Sequence, residues 1–181
     1  GLGAAAGPDL VVQGLTVAPV NSAAFVSGGQ VQVGWTVYNS GTQAANTMWT
    51  DRVVVRNTAT NALIGSYLVT YNDIASSPLA AGDSRTRQII LTLPEGNLGA
   101  GNISIQVITD VSNAVIEPGS VGETNNSAIV TLQSQLTTYP DLTVSNLMIE
   151  PAGAWSPGMS VTVHWRTNNT GDGSINTAWT D

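Results

Sequence analysis

The sequence has no cysteine, no lysine and a single histidine, His164. Without cysteine, neither a disulfide framework nor thiolate chemistry is available to the fold. One histidine, without a second histidine or a cysteine, does not complete the usual zinc ligand sets. Residues 8–133 contain no histidine at all, so a Ser-His-Asp triad is excluded there. We therefore predict no catalytic residue and expect that the protein is not an enzyme.

Charge is also scarce, at 9% of the residues, and it is mostly negative. Twelve carboxylates outnumber five arginines, which gives a net charge of −7. Such a surface repels a phosphate backbone and offers no basic patch to an anionic membrane. No apolar run approaches the ~18 residues that indicate a membrane span. We expect no nucleic-acid partner and no direct membrane insertion, whereas a cation would suit this surface.

Two stretches of the chain, 8–50 and 140–180, repeat one another. Pro8-Asp9-Leu10 returns 132 residues later as Pro140-Asp141-Leu142, and Trp35 returns as Trp165 at a spacing of 130. A fixed period with matched positions is the signature of a domain array. The repeat predicts a linker or remnant at 1–7, a complete unit over 8–133, a linker at 134–139 and the N-terminal part of a second unit over 140–181.

Short segments of alternating or β-branched residues recur along the chain, separated by Gly, Pro, Asn and Asp. Gln30–Tyr38 is the clearest, because it places Val31, Val33, Trp35 and Val37 on one face. A period of two is typical of a half-buried strand. The pattern predicts an all-β, immunoglobulin-like antiparallel β-sandwich of about seven strands per unit. The predicted strands are Leu10–Val17, Gln30–Tyr38, Trp49–Arg56, Ala62–Thr70, Arg85–Leu93, Asn102–Thr109 and Asn126–Leu132.

Several short motifs occur in a fixed order along the chain. They are Pro8-Asp9-Leu10, Gly41 after Asn39, Trp49-Thr50-Asp51, Pro78–Gly82, Leu93–Gly96, and a run from Thr109 through Asn113, Glu117 and Glu123 to Asn126. In this order they resemble CARDB, the cell-adhesion-related domain found in bacteria. The likeness covers 8–133 almost fully and 140–181 as an N-terminal portion. It implies an immunoglobulin-like sandwich used as a tandem module in large secreted or cell-surface proteins, without implying a ligand.

Oxygen-bearing side chains are concentrated between the last two predicted strands of the first unit. Calcium takes about six to eight oxygen ligands at flexible angles, and a loop of carboxylates and amides can supply them. The alternative is an ordinary loop in which Asp110 and Asn113 make a turn and Glu117 is solvated. Asn125 and Asn126 would then cap the last strand. Both interpretations stay open, and we predict no cofactor other than calcium. The candidate ligands are Asp110, Asn113, Glu117, Glu123 and Asn125.

The repeated motif Trp49-Thr50-Asp51 has a structural and a functional interpretation. Strand alternation puts Trp49 and Asp51 on one face. In the structural interpretation, which we prefer, the tryptophan packs in the core and Asp51 pairs with Arg52 or a backbone amide. In the functional one, Asp51 joins a cation site or contacts a partner. Trp35 and Trp165 are likewise predicted to pack in a core instead of lining a sugar-binding face.

The segment 140–181 holds too few strands to close a sandwich. Val161, Val163 and Trp165 would therefore form an uncovered apolar face. Strand exchange is one way to cover it, since 140–181 of one chain matches 8–51 of another, and a neighbouring subunit is a second. The alternative is that 140–181 is a fragment of a longer array. His164 is expected on the opposite face, towards solvent.

These observations predict a non-catalytic structural or adhesive repeat module of a large secreted or cell-surface bacterial protein, acting as a spacer or interaction domain. Its partners would be neighbouring repeat units, or proteins or glycans at a cell surface. Two alternatives stay open: a calcium-dependent carbohydrate-binding module, and an accessory domain of an extracellular hydrolase. Exposed tryptophans would favour the first of these, and buried tryptophans favour the spacer.

Overall fold

The computed structural model describes residues 6–73, 77–118 and 124–180 of the chain. Within these ranges the regular elements are nine strands and one short 3-10 helix, Gly96–Leu98. No helix in the described ranges is long and apolar enough to cross a membrane. The strands are β1 (Leu10–Val20), β2 (Gln30–Asn39), β3 (Trp49–Asn57), β4 (Leu63–Tyr71), β5 (Ser84–Thr92), β6 (Gly101–Ile108), β7 (Ser127–Ser134), β8 (Leu142–Glu150) and β9 (Thr162–Asn169).

The chain divides into two compact units, Gly1–Leu136 (unit 1) and Thr137–Asp181 (unit 2). Unit 1 has a three-stranded sheet in the order β1-β2-β5 and a four-stranded sheet in the order β4-β3-β6-β7. All pairs in both sheets are antiparallel. The predicted all-β, immunoglobulin-like antiparallel sandwich is confirmed, and each predicted strand matches an observed one with ends that differ by three residues at most.

The core of unit 1 lies between the inward faces of the two sheets. Every second residue of β2 is buried, as the alternation predicts, and the same holds for β3 and β6. Burying such rows of Val, Ile and Trp is the main source of stability in a sandwich. The rows are Val31, Val33, Trp35 and Val37 in β2, Trp49, Asp51, Val53 and Val55 in β3, and Ile103, Ile105 and Val107 in β6.

The chain enters and leaves unit 1 at opposite ends of the sandwich. The first residue of β1, Leu10, pairs with the last residue of β2 and is bonded to the loop between β6 and β7. After β7, Gln135 forms a parallel bridge with Val26, which lies beyond the other end of β1. The amide of Gln135 donates to Phe25 O at 2.8 Å, and Ser27 N donates to Gln135 O at 2.8 Å. Hydrogen bonds therefore hold the chain at both ends of unit 1.

Unit 2 is a hairpin of β8 and β9 with an apolar face that the described residues do not cover. Val161, Val163 and Trp165 are 44%, 43% and 46% exposed, whereas their repeat counterparts in β2 are at most 1% exposed. His164 points to the other face, where its Nε2 lies 3.4 Å from Glu150 Oε2. The expected uncovered face and the solvent-facing histidine are both confirmed.

Candidate functional site

The loop between β6 and β7 begins with a turn that Asp110 holds together. Its Oδ1 accepts from the amide of Ala114 at 2.9 Å, and its Oδ2 accepts from the amide of Val115 at 2.8 Å. Asn113 N donates to Asp110 O at 2.9 Å. Both residues have positive φ, 44° and 50°, a region that Asp and Asn tolerate better than most residues. The turn predicted for Asp110 and Asn113 is confirmed.

Glu117 fastens the same loop to the first strand. It is only 6% exposed, and its Oε1 accepts from the amide of Leu10 at 2.8 Å. The neighbouring Pro118 packs so closely on Gly7 that a Cβ added there would lie 2.3 Å from Pro118 Cδ. The solvated position considered for Glu117 is therefore wrong, because this carboxylate is a buried acceptor for the backbone of β1.

Asn125 makes a second link from the loop to the start of the chain. Its Nδ2 donates to Asp9 Oδ1 at 3.0 Å. The loop thus brings Glu117 and Asn125 to the amino end of β1. Glu123, also proposed as a calcium ligand, lies outside the described residues. Among the residues that are described, no group of three or more His, Asp or Glu side chains is placed to hold a metal ion. The calcium site stays a prediction.

The repeated motifs Pro-Asp-Leu and Asn-x-Gly form one hydrogen-bonded cluster at the amino end of unit 1. Asn39 Oδ1 accepts from the amides of Asp9 and Gly41, each at 3.1 Å. The amide of Ser40 donates to Asp9 O at 2.8 Å. Gly41 is required because a Cβ there would lie 2.3 Å from Gly7 O. The Asn39 side chain binds backbone groups, and the Asp9 carboxylate accepts from the side chains of Ser40 and Asn125. All these partners lie within the fold of unit 1, so the motif has a structural role.

Unit 2 contains the same hydrogen-bonded cluster at the counterpart positions. Asn169 Oδ1 accepts from the amides of Asp141 at 2.9 Å and Gly171 at 3.1 Å. The amide of Thr170 donates to Asp141 O at 2.7 Å. A Cβ on Gly171 would lie 2.3 Å from Tyr139 O, the same close approach as at Gly41. The sequence repeat is therefore a repeat of hydrogen-bonding geometry.

Asp51 lies at the centre of a buried polar cluster that joins the two sheets. Its Oδ2 accepts from Trp35 Nε1 at 3.0 Å and lies 3.6 Å from Arg87 Nη1. Its Oδ1 accepts from Thr109 Oγ1 at 2.7 Å. Of the two partners predicted for Asp51, Arg52 is wrong, because β5 projects Arg87 into the core from the opposite sheet. The other predicted partner, a backbone amide, is supplied by Asp110. The Asp51 carboxylate connects β3 to β2 and β5.

Arg87 is held from several sides. Its Nη2 donates to Val69 O at 2.9 Å, and its guanidinium lies over the Tyr71 ring, 5.4 Å from the centroid. Tyr71 in turn stacks on Trp49, with ring centroids 4.3 Å apart. Cation–π contact and hydrogen bonding compensate part of the cost of burying the charge.

Burial shifts the pKa values of both Asp51 and Arg87. Desolvation raises the pKa of Asp51 above its usual value, although Thr109, Arg87 and Trp35 oppose the rise. Desolvation likewise lowers the pKa of Arg87, against the attraction of Asp51. A perturbed pKa in a cleft would indicate catalysis. Here both side chains are at most 8% exposed, so substrate has no access and the pair is structural.

The sequence does contain a signal for Arg87. Arg87, Ile89 and Leu91 alternate along β5, so a period of two places the arginine on the inward face with its apolar neighbours. A charged residue on a core face needs a buried partner. Only the tertiary fold identifies that partner as Asp51, since the two residues lie in different sheets.

The tryptophans of the complete unit offer no stacking surface. Trp35 and Trp49 are each 1% exposed. Trp155, Trp165 and Trp179 in unit 2 are 52%, 46% and 53% exposed, but they occupy the repeat positions of Phe25, Trp35 and Trp49, which pack in or against the core of unit 1. These three tryptophans therefore occupy core positions of the repeat.

A protein-family model described as CARDB matches residues 7–130. No curated protein matches the chain. The chain is similar to the crystal structure of the CARDB domain of a Pyrococcus furiosus protein in complex with di-metal ions, with 18% identity, a TM-score of 0.48, and coverage of 72% of this chain and 96% of that one. A solution structure of that domain gives 18% identity, a TM-score of 0.48, and coverage of 73% and 99%. A β-glucosidase from Erythrobacter marinus gives 13% identity, a TM-score of 0.42, and coverage of 70% and 15%.

Proposed function

The chain belongs to the CARDB family, and we propose that it is a structural or adhesive module that spaces or presents other parts of a large secreted or cell-surface protein. Its partners are neighbouring repeat units, or proteins or glycans at a cell surface. Membership of the family supports a non-catalytic module.

One observation carries the spacer role: the chain enters and leaves unit 1 at opposite ends, and each end is fastened by buried or paired groups. At the amino end, Glu117 accepts from Leu10 N and Asn125 donates to Asp9. At the carboxyl end, Gln135 is hydrogen bonded on both sides to the segment 25–27. A module fastened in this way passes tension from one end to the other through its core, and the first strand does not peel away.

The hydrogen bond from Leu10 N to Glu117 Oε1 predicts that two substitutions of Glu117 differ in their effect on stability. Glu117→Ala leaves the buried amide of Leu10 without its acceptor, so the free energy of unfolding should fall by about 1–3 kcal/mol. Glu117→Gln keeps an oxygen in the same place and should cost much less. Urea unfolding of the full chain measures both, and Glu95→Ala, an exposed carboxylate, is the matched control. Equal losses for the two Glu117 variants would contradict the acceptor role.

Calcium binding at this loop is a second candidate function, favoured by the meeting of Asp9, Glu117 and Asn125 at one end of the sandwich. The ligands we propose are Asp110, Asn113, Glu117, Glu123 and Asn125. A cation present at ~100 times its dissociation constant would stabilise the folded state by about 2.7 kcal/mol. The same variants, melted with millimolar calcium and then with chelator, separate the two roles. A calcium shift lost in Glu117→Gln supports the site, and no shift in the wild type removes it.

The two other candidates receive less support. A carbohydrate-binding module stacks sugars on exposed aromatic rings, whereas the tryptophans of unit 1 are buried. An accessory role in an extracellular hydrolase depends on neighbouring domains, and no residue of this chain argues for it. Measurable glycan affinity of the full chain would revive the first of these candidates.

A further inference from the structure

The outward face of the four-stranded sheet in unit 1 combines apolar side chains with an arginine. Residues that pair across antiparallel strands lie on the same face, so Leu68 and Ile108 flank Arg52 on its two sides. Val54 follows Arg52 on this face of β3, and Ile129 of β7 lies on it two strands away. We call this surface the Arg52 face, and its members are Arg52, Val54, Leu68, Ile108 and Ile129.

The apolar part of the Arg52 face is aliphatic and open to solvent. Leu68 and Ile129 are 67% and 65% exposed. The aromatic residues of the same four strands are Trp49, Tyr67 and Tyr71, and all three are buried in the core or packed against it. Neighbouring exposed aliphatic side chains indicate a surface for a protein partner, whereas sugars stack on aromatic rings.

Arg52 is a half-buried cation without a partner among the residues that the structure describes. Its Nε is shielded from solvent and makes no hydrogen bond. The ion pairs in the described ranges involve Arg87 and His164, so no carboxylate there neutralises Arg52. The methylene stem of an arginine covers apolar neighbours well, but such packing gives the guanidinium no acceptor. The side chain can therefore turn towards a partner without losing a bond.

No carboxylate lies on this side of the sheet. The only acidic residue in β3, β4, β6 and β7 is Asp51, and it faces the core. Arg56 also points outward from β3, and its Nη1 donates to Asn61 O at 3.2 Å. Two of the five arginines thus lie on an outward face without negative charge, although the chain as a whole has a net charge of −7. Charge complementarity favours an acidic partner for this face.

We propose that the Arg52 face binds an acidic, aliphatic segment of another protein, with a carboxylate on the Arg52 guanidinium and apolar side chains on Leu68, Ile108 and Ile129. An arginine binds a carboxylate through two parallel N–H···O bonds, and the unbonded Nε supplies one of these donors. Arginine is enriched at the centres of interfaces, where surrounding apolar contacts exclude water. This binding face rests on the adhesive part of the proposed function and names the chemistry of its partner, and the spacer role does not depend on it.

Two other occupants fit the Arg52 face less well. A second copy packed through the same face would bring Arg52 and Arg56 of both copies together, because a two-fold contact uses the same patch twice. Like charges oppose that arrangement. An acidic polysaccharide would satisfy the arginines but would find no aromatic ring on which to stack. The aliphatic side chains therefore favour a protein segment.

The test adds to the full chain a synthetic peptide in which glutamate alternates with valine, and follows the backbone amide signals by NMR. We expect saturable shifts confined to β3, β4, β6 and β7, and weaker binding at high salt, which screens the charges. The control peptide has glutamine in place of every glutamate. It should bind at least about 10-fold more weakly, because its bonds to Arg52 lack the negative charge.

Variants of the chain separate the charge from the apolar contact. Arg52→Gln should raise the Kd of the glutamate peptide at least about 10-fold. It should leave the urea midpoint unchanged, because Nε makes no bond in the fold. Arg56→Gln is the matched control, since it removes the same charge from an exposed side chain that already bonds to Asn61 O, and it should change the Kd only about 2-fold. Leu68→Ser should raise the Kd about 3–10-fold.

Three results would overturn this binding face: no saturable shifts with the glutamate peptide, equal binding of the glutamine peptide, or an unchanged Kd in Arg52→Gln. Shifts of the same strands with oligogalacturonate and not with the peptide would assign the face to an acidic glycan. Salt-sensitive self-association that Arg52→Gln abolishes would assign it to a second copy, and either result would also overturn a distinct protein partner. Each of these failures leaves the spacer role standing, because the Glu117 variants test that role without any partner.

Discussion

Replacement of Asp51 by alanine should lower the free energy of unfolding by about 3–5 kcal/mol, the loss seen when one partner of a buried ion pair is removed. The substitution leaves Arg87 buried without its carboxylate and takes the acceptor from Trp35 Nε1 and Thr109 Oγ1. Because these groups come from both sheets, the loss affects the whole of unit 1. Urea unfolding followed by far-UV circular dichroism measures it.

The control for Asp51→Ala is Asp83→Ala, which removes an exposed carboxylate near the start of β5 and should change stability by less than about 0.5 kcal/mol. A double-mutant cycle with Arg87→Met isolates the ion pair. We expect the double variant to lose about 0.5–3 kcal/mol less than the sum of the single losses. A cycle with no coupling would contradict a direct interaction between Asp51 and Arg87.

The second large effect is expected at Trp35, where alanine should cost about 3–5 kcal/mol through the cavity it leaves. Trp35 is 1% exposed, whereas its repeat counterpart Trp165 is 46% exposed. Trp165→Ala should therefore leave the main unfolding transition within about 0.5 kcal/mol of the wild type. Two tryptophans with the same place in the repeat thus have different energetic roles.

The contrast between the two tryptophans is also a test of the uncovered face. A loss for Trp165→Ala close to that for Trp35→Ala would mean that β9 is packed in a second core, and would contradict the exposure of Trp165. Intrinsic fluorescence provides an independent check, because Trp35 and Trp49 should emit as buried residues and Trp165 as a solvent-exposed one.

The strands could be predicted from the sequence because each carries a local signal. In β2, alternation of apolar residues with polar or small ones places Val31, Val33, Trp35 and Val37 on the buried face, and the predicted end of the strand differs from the observed one by a single residue. The repeat added a second constraint, since matched motifs must fold alike. The uncovered face of unit 2 followed from counting strands, with no tertiary information needed.

The hydrogen bond between Glu117 and Leu10 and the ion pair between Asp51 and Arg87 could not be predicted, because they join distant parts of the chain. Glu117 bonds to the backbone of Leu10, 107 positions earlier, and a backbone amide leaves no mark in the sequence. Of the two partners that the sequence predicts for Asp51, Arg52 or a backbone amide, Arg52 is ruled out because strand alternation turns adjacent residues to opposite faces. Arg87 lies on the inward face of β5, but only the packing of one sheet on the other brings it to Asp51.

Mechanical unfolding of unit 1 along its own axis is the most direct test of the spacer role. The chain has no cysteine, so Ala6→Cys and Leu136→Cys give two unique attachment points at the ends of the unit. We predict a single unfolding step that lengthens the tether on the order of 400 Å, at the same force in the parent and in Glu117→Gln, and at a lower force in Glu117→Ala. Gradual extension without a step, or a force that Glu117→Ala leaves unchanged, would contradict a module that is fastened at its ends to transmit tension.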